Sequence, residues 1–205
     1  SLGQNFLINE KIINYVVDTA NINNKDTIIE VGPGKGALTK KILEKKPKNF
    51  TVVEKDERFV KILKIQFKDK INIINKDMLK VSYEDYLTNN LIIFGNLPYN
   101  ISTQILAKLI KLNDISKCCK KLILMFQKEV ADRIIAKFNT SNYGRLSILS
   151  NWKLNVKKIF DIKPTAFFPS PKIDSSLLLF YPKKDFIKIN DPNNLEKITR
   201  IFFNQ

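Results

Sequence analysis

The sequence predicts an α/β fold: a mostly parallel sheet with helices on both faces. Three observations predict it. Strand-like and helical patterns alternate along most of the 205 residues. The strand-like runs are apolar throughout, as strands covered on both faces are. Amphipathic stretches separate them, as crossover helices do.

Taken in order, Ile12, Ile13, Val16, Val17 and Ala20 recur at helical spacing behind Asn9, a good N-cap. Residues 27–31 form a short β-branched run that stops at glycines, and 37–46 read as a helix. Strands follow at 50–54, 71–74, 91–94 and 122–126, with helices at 58–67, 101–112 and 129–138. The tail differs. Residues 152–160 and 173–181 are strand candidates joined through Pro164, Pro169 and Pro171, with no crossover helix between them. They predict a hairpin-like pair at one edge and hence a mixed sheet of seven strands. Residues 185–194 read as a linker and 195–203 as the start of a helix.

Composition narrows the function. Lys and Arg number 35 against 20 Asp and Glu, a net charge of +15. Such an excess favours a polyanionic partner, because neutralising phosphates releases counterions. The competing explanation is an AT-rich genome that enriches Lys, Asn and Ile, with Lys40, Lys41, Lys45, Lys46 and Lys48 as a solvated helix face. There is no His, which excludes Ser-His-Asp and Cys-His catalysis and the zinc helix motif. Cys118 and Cys119 are adjacent, a spacing unsuited to a metal knuckle or a CxxC redox pair, and read as reduced thiols. No metal is implied. No apolar run reaches membrane-span length and no signal peptide pattern opens the chain, so the expected site of action is the cytoplasm, or an organelle in a eukaryote.

The first strand runs into Glu30-Val31-Gly32-Pro33-Gly34-Lys35-Gly36. Glycines between strand and helix let the backbone turn tightly and approach a ligand. The spacing is neither that of a P-loop nor GxGxxG. Glu54 ends the second strand, where a carboxylate accepts both ribose hydroxyls of an adenosine-type cofactor; Asp77, after the third, is placed to accept from an adenine amine. The alternative, less favoured beside the glycine loop, is that both cap the segments that follow them.

The most specific motif is Gly95-Asn96-Leu97-Pro98-Tyr99-Asn100-Ile101-Ser102, directly after the fourth strand. An adenine amine is a poor nucleophile because its lone pair is delocalised into the ring. Two acceptors that hold its hydrogens pull the nitrogen toward tetrahedral geometry. The Asn96 side-chain oxygen and the Leu97 carbonyl are suited to this, Pro98 stiffens the turn, and Tyr99 offers a face to an extruded base. The simpler alternative is a strand-closing Asn-Pro turn.

Together with Gly3-Gln4-Asn5-Phe6-Leu7, Lys76-Asp77, Gln127-Lys128-Glu129-Val130, Tyr143-Gly144-Arg145-Leu146-Ser147 and residues 167–175 (FFPSPKIDS), these motifs resemble a known family. It is that of the KsgA/RsmA ribosomal RNA adenine dimethyltransferases, relatives of the Erm resistance enzymes, and the resemblance covers almost the whole chain. It implies a Rossmann-like class I methyltransferase fold whose last strand is antiparallel, and S-adenosyl-L-methionine as cofactor. It implies a cofactor site of Gln4, Asn5, Leu7, Gly32, Gly34, Glu54, Asp77 and Asn96. It implies a catalytic pocket of Asn96, Leu97, Pro98 and Tyr99, with Phe167 as the second aromatic wall and Phe168 as a weaker candidate. Lys172 and Arg145 would meet RNA phosphates.

The implied reaction is N6,N6-dimethylation of two adjacent adenosines near the 3′ end of small-subunit rRNA, by a monomer acting on a pre-ribosomal particle. A large-subunit enzyme of Erm type and a non-catalytic assembly factor are the alternatives. The family's small helical C-terminal domain is expected to begin where this chain ends, giving a methyltransferase domain over 1–184 and a linker with the start of that domain over 185–205.

Overall fold

A computed structural model describes residues 5–86 and 88–203. The chain runs β1 (Phe6–Leu7), α1 (Glu10–Thr19), β2 (Thr27–Val31), α2 (Ala37–Glu44), β3 (Asn49–Glu54), α3 (Glu57–Phe67), β4 (Asn72–Asn75), β5 (Leu91–Asn96), α4 (Ser102–Lys111), α5 (Ile115–Cys118), β6 (Cys119–Gln127), α6 (Lys128–Ile134), α7 (Arg145–Lys153), β7 (Leu154–Ile162), β8 (Phe167–Phe168), β9 (Ser175–Pro182) and α8 (Pro192–Phe203). Seven strands form one sheet in the order β4-β3-β2-β5-β6-β9-β7, while β1 and β8 form a separate antiparallel pair. All neighbours in the large sheet are parallel except β9, which is antiparallel to both β6 and β7. The expected mixed sheet of seven strands with an antiparallel last strand is what forms. β7 holds the edge, and β9 inserts beside β6.

Period-two alternation splits the core. Ile28, Val52, Ile92 and Phe94 face α1, α2 and α3. Ile29, Val31, Val53 and Ile93 face α4, α5 and α6 on the other side. Asn9 caps α1 as expected, its side chain accepting from Ile12 N at 3.1 Å.

The register positions the site. Val31 pairs with both Val53 and Gly95. Gly32, Glu54 and Asn96 therefore leave three adjacent strands at one level, at the carboxyl edge where open α/β sheets bind ligands.

Several boundaries differ from expectation. Trp152 and Lys153 belong to the end of α7, and the strand starts only at Leu154. The helix was illegible because its buried face is built largely from Ser147, Ser150 and Lys153 beside Leu149, which leaves no apolar stripe. α6 stops at Ile134, short of the exposed Phe138. α8 begins at Pro192, inside the stretch read as linker. It is joined to the rest by Glu196, which bridges Lys111 of α4 and Arg145 of α7.

Candidate active site

The glycine loop forms the floor. Gly34 has φ +54° and its N–H donates to Glu54 Oε2 at 3.1 Å. A Cβ there would stand 2.7 Å from the Phe6 ring, so only glycine lets that ring lie against the loop. Glu54 is buried and also accepts from Asp56 N at 2.9 Å. Burial is the main reason its carboxyl is raised above the usual range. The capping alternative for Glu54 is thus real, but it leaves the carboxylate at the strand end with lone pairs to spare.

Asn96 donates from Nδ2 to Asn5 O at 2.8 Å. That bond ties the first segment of the chain to the sheet and aims the amide. Among the described residues no donor reaches Asn96 Oδ1, and no backbone N–H reaches the Leu97 carbonyl. The turn beyond is closed by Ile101 N donating to Pro98 O at 3.1 Å and by Ser102 Oγ donating to Tyr99 O. Two acceptors therefore stand free beside a stiff turn. Tyr99 is half-buried, and its hydroxyl lies 2.6 Å from Ser175 Oγ on β9. Burial raises the phenol above its ordinary value, with the Ser175 bond partly offsetting, so the ring is neutral at physiological pH.

Space lies on both sides of this turn. A narrow cavity of about 40 Å³ is lined by Asn5, Phe6, Gly32, Gly34, Glu54, Asn96, Leu97 and Tyr99. An open cleft of about 450 Å³ on the far side is lined by Asn5, Tyr99, Gln127, Lys172 and Ile173. Asn5 and Tyr99 line both and form the wall between them. A third cavity, of about 280 Å³, holds Leu7, Glu30, Gly32 and Asn96. Phe6 lines it as well as the first, and divides the two. An adenosine-type cofactor needs more room than the narrow cavity alone, so its fit requires the Phe6 ring to swing. The glycine floor admits close approach and the buried Glu54 carboxylate offers acceptors suited to ribose hydroxyls.

The sequence-based site is thus partly assembled. Asn5, Gly32, Gly34, Glu54, Asn96, Leu97, Pro98 and Tyr99 converge on the narrow cavity, and Leu7 on its neighbour. Gln4 lies outside the described residues. Asp77 stands beside the cavity rather than in it. It accepts from Lys55 Nζ and from Leu79 N, each at 2.9 Å, and the Lys55 contact chiefly holds its carboxyl below the ordinary value.

Phe167, expected as the second aromatic wall, is buried in this structure. It is 2 % exposed and packed in the core, opposite Leu7 in the β1–β8 pair. Side chains alternate along a strand, so its neighbour Phe168, 64 % exposed and opposite Phe6, faces outward instead. Arg145 pairs with Glu196 through one guanidinium nitrogen. Lys172 is exposed at the mouth of the open cleft.

Phe6 and Glu30 were missed as site residues. Phe6 gives no signal in a two-residue strand. Glu30 carried one, a carboxylate inside a buried β-branched run. It is 1 % exposed and accepts from Thr39 Oγ1 at 2.6 Å. Desolvation pushes its carboxyl from 4.5 up to about 8; the Thr39 bond opposes the rise and the Glu54 charge adds to it. In the unfolded chain it titrates near 4.5, so between pH 4.5 and about 8 the folded state holds the extra proton. The stability this contributes is full below 4.5 and is lost as pH rises through about 8. Glu30→Gln, which keeps the acceptor for Thr39, should flatten that decline. Urea midpoints of the two proteins across this pH range test it, and parallel slopes would refute it.

Comparison with known proteins follows the same lines. The family description "Ribosomal RNA adenine dimethylase" matches residues 1–205. The chain is 60% identical over 205 residues to a ribosomal RNA small subunit methyltransferase A of Pelagibacter ubique, covering 100% of this chain and 78% of that protein. It is 43% identical to the protein of the same description from Malacoplasma penetrans, covering 96% of this chain and 69% of that one. Among solved structures, a dimethyladenosine transferase from Plasmodium falciparum superposes with a TM-score of 0.82 at 28% identity, over 98% of this chain and 71% of that chain. The 23S rRNA methyltransferase ErmE shares the fold, with a TM-score of 0.72 at 22% identity over 96% of this chain and 77% of that chain.

Proposed function

The chain belongs to the ribosomal RNA adenine dimethylase family, and from that premise we propose that it methylates the N6 amines of two adjacent adenosines near the 3′ end of small-subunit rRNA, each twice. The observation that carries the reading is the pair of free acceptors, Asn96 Oδ1 and the Leu97 carbonyl, beside the Tyr99 face. Bound S-adenosyl-L-methionine supplies an electrophilic sulfonium methyl. The residues suited to hold it are Asn5, Leu7, Gly32, Gly34 and Glu54, with Asp77 at the margin and Gln4 at the start of the same segment.

An adenosine in the open cleft would reach this wall out of its stack, its base against Tyr99. Asn96 Oδ1 and Leu97 O then accept its two amine hydrogens and bring the nitrogen lone pair out of conjugation. The freed lone pair would then face the sulfonium methyl the bound cofactor would supply, the carbon–sulfur bond breaking to leave a neutral thioether as carbon–nitrogen forms. The alkylated, positively charged amine would give its proton to water without a dedicated base. Tyr99, a neutral phenol, stacks and does not act as a base. Positioning supplies most of the rate. The exposed Phe168, next to the buried Phe167, is the candidate for the second aromatic contact, and Lys172, at the open cleft, is the candidate to meet a phosphate.

The proposal takes the protein as a cytoplasmic monomer acting on rRNA in a pre-ribosomal particle. It takes residues 1–184 as the catalytic domain and 185–205 as the passage toward a helical one. Among the described residues no helix is long and apolar enough to cross a membrane. Incubating the protein and methyl-labelled cofactor with small and large subunits lacking these methyl groups tests the substrate. Label is expected in small-subunit N6,N6-dimethyladenosine. Label confined to the large subunit would instead indicate an enzyme of Erm type.

A further inference from the structure

At the sheet edge opposite the active site, where β6 begins and β9 ends, a cleft of about 640 Å³ opens between the end of α7 and the segment after β9. At ~3.3 Å per residue along β5, this edge lies about 17 Å from Asn96. Lys153, the last residue of α7, is only 3 % exposed and lines the cleft. Its ammonium lies 4.5 Å from the Trp152 ring centroid and 5.3 Å from that of Phe186, and it donates to Leu112 O at 3.1 Å. Among the described residues no carboxylate lies within ion-pair distance of it. The nearby Asp114 is engaged with Lys117 at 2.7 Å.

A buried cation held only by π faces and one carbonyl is costly unless an anion completes it. Here its surroundings add positive charge: Lys184 and Lys188 line the same cleft, exposed and outside any ion pair among the described residues. We propose that this cleft is a phosphate-binding site that takes a backbone phosphate of the RNA substrate, remote from the target base. Lys153 is the fixed donor, held in place by Trp152 and Phe186, and Lys184 and Lys188 close over the anion. The desolvation that lowers the Lys153 ammonium below its ordinary value is relieved when the anion enters. The inference rests on RNA being the partner. Inorganic phosphate shares the chemistry, and the experiment separates the two.

Trp152 is the single tryptophan of the chain and reports on the cleft directly. The full chain is titrated with a short oligouridylate RNA at several salt concentrations, and separately with inorganic phosphate at matched ionic strength, while Trp152 emission is followed. RNA is expected to change the emission at much lower concentration than phosphate. The exposed pair Lys184→Glu/Lys188→Glu should weaken RNA binding several-fold and reduce the salt slope by roughly 0.7 for each phosphate no longer neutralised. Lys153→Met should abolish the emission change; should it fail to fold, the exposed pair still decides. Asn96→Ala should keep the emission change while losing methyl transfer, so failure here and failure of the proposed reaction are distinguishable. An emission change with phosphate that RNA neither produces nor competes with would overturn the assignment to RNA. Unaltered RNA affinity and salt slope in Lys184→Glu/Lys188→Glu would overturn it too.

Discussion

Asn96→Ala is expected to lower kcat for methyl transfer by about 10²–10³-fold or more, the scale seen when one preorganised polar contact to a reacting group is removed. The argument is geometric. Asn96 Oδ1 is one of two acceptors available to the amine, and alanine leaves one hydrogen unheld and the lone pair in conjugation with the ring. A second consequence is separable. Nδ2 also anchors Asn5 O at 2.8 Å, so the alanine variant frees the first segment, at a cost of about 1 kcal/mol, and cofactor affinity should fall modestly. Asn96→Asp keeps an acceptor but loses the anchor, and should therefore retain more kcat than alanine while binding cofactor less well. Single-turnover rates and cofactor Kd for both variants check this. Equal kcat in Asn96→Ala and wild type would end the proposed role.

Phe167→Ala should destabilise the protein by about 3–5 kcal/mol, the range for deleting a buried aromatic ring. That is a large share of the ~5–15 kcal/mol by which domains are stable. The ring is 2 % exposed within the cluster on the α1–α2 face. Its neighbour should behave oppositely. Phe168→Ala, at a position 64 % exposed, should leave the unfolding midpoint nearly unchanged and raise KM for RNA. Removing one base-aromatic stacking interaction costs ~1–3 kcal/mol, roughly 5–150-fold. Urea denaturation and steady-state kinetics of the two variants separate these outcomes. A stable Phe167→Ala protein with a raised KM would restore Phe167 to the base pocket.

The pair also marks how far the sequence could be read. β2, β3 and β5 were legible because each is a short apolar run ending in a chemically distinctive residue, namely Gly32, Glu54 and Asn96. Knowing that such ends meet at one sheet edge suffices to bring these three together. The phase of a two-residue strand is another matter. Phe167 and Phe168 differ only in which points inward, and that is set by pairing with Leu7 and Phe6 at the other end of the chain. Nothing local specifies it. The first segment has the same difficulty: read locally it is a lead-in to α1, and its link to the site is a hydrogen bond from a residue 91 positions away. α7 was hidden because its buried side is largely serine and lysine. The charge excess was legible as a sign of polyanion binding, but the unpaired burial of Lys153 is a product of packing.

The central claim is that Asn96 Oδ1 and the Leu97 carbonyl grip the amine of an adenine stacked on Tyr99. A crystal structure of the protein with S-adenosylhomocysteine and adenosine tests it most directly. The account predicts the Phe6 ring displaced, the base against Tyr99, and N6 within hydrogen-bonding distance of both oxygens. An adenosine bound with N6 turned away from Asn96, or a cofactor product seated away from the glycine loop and Glu54, would contradict it.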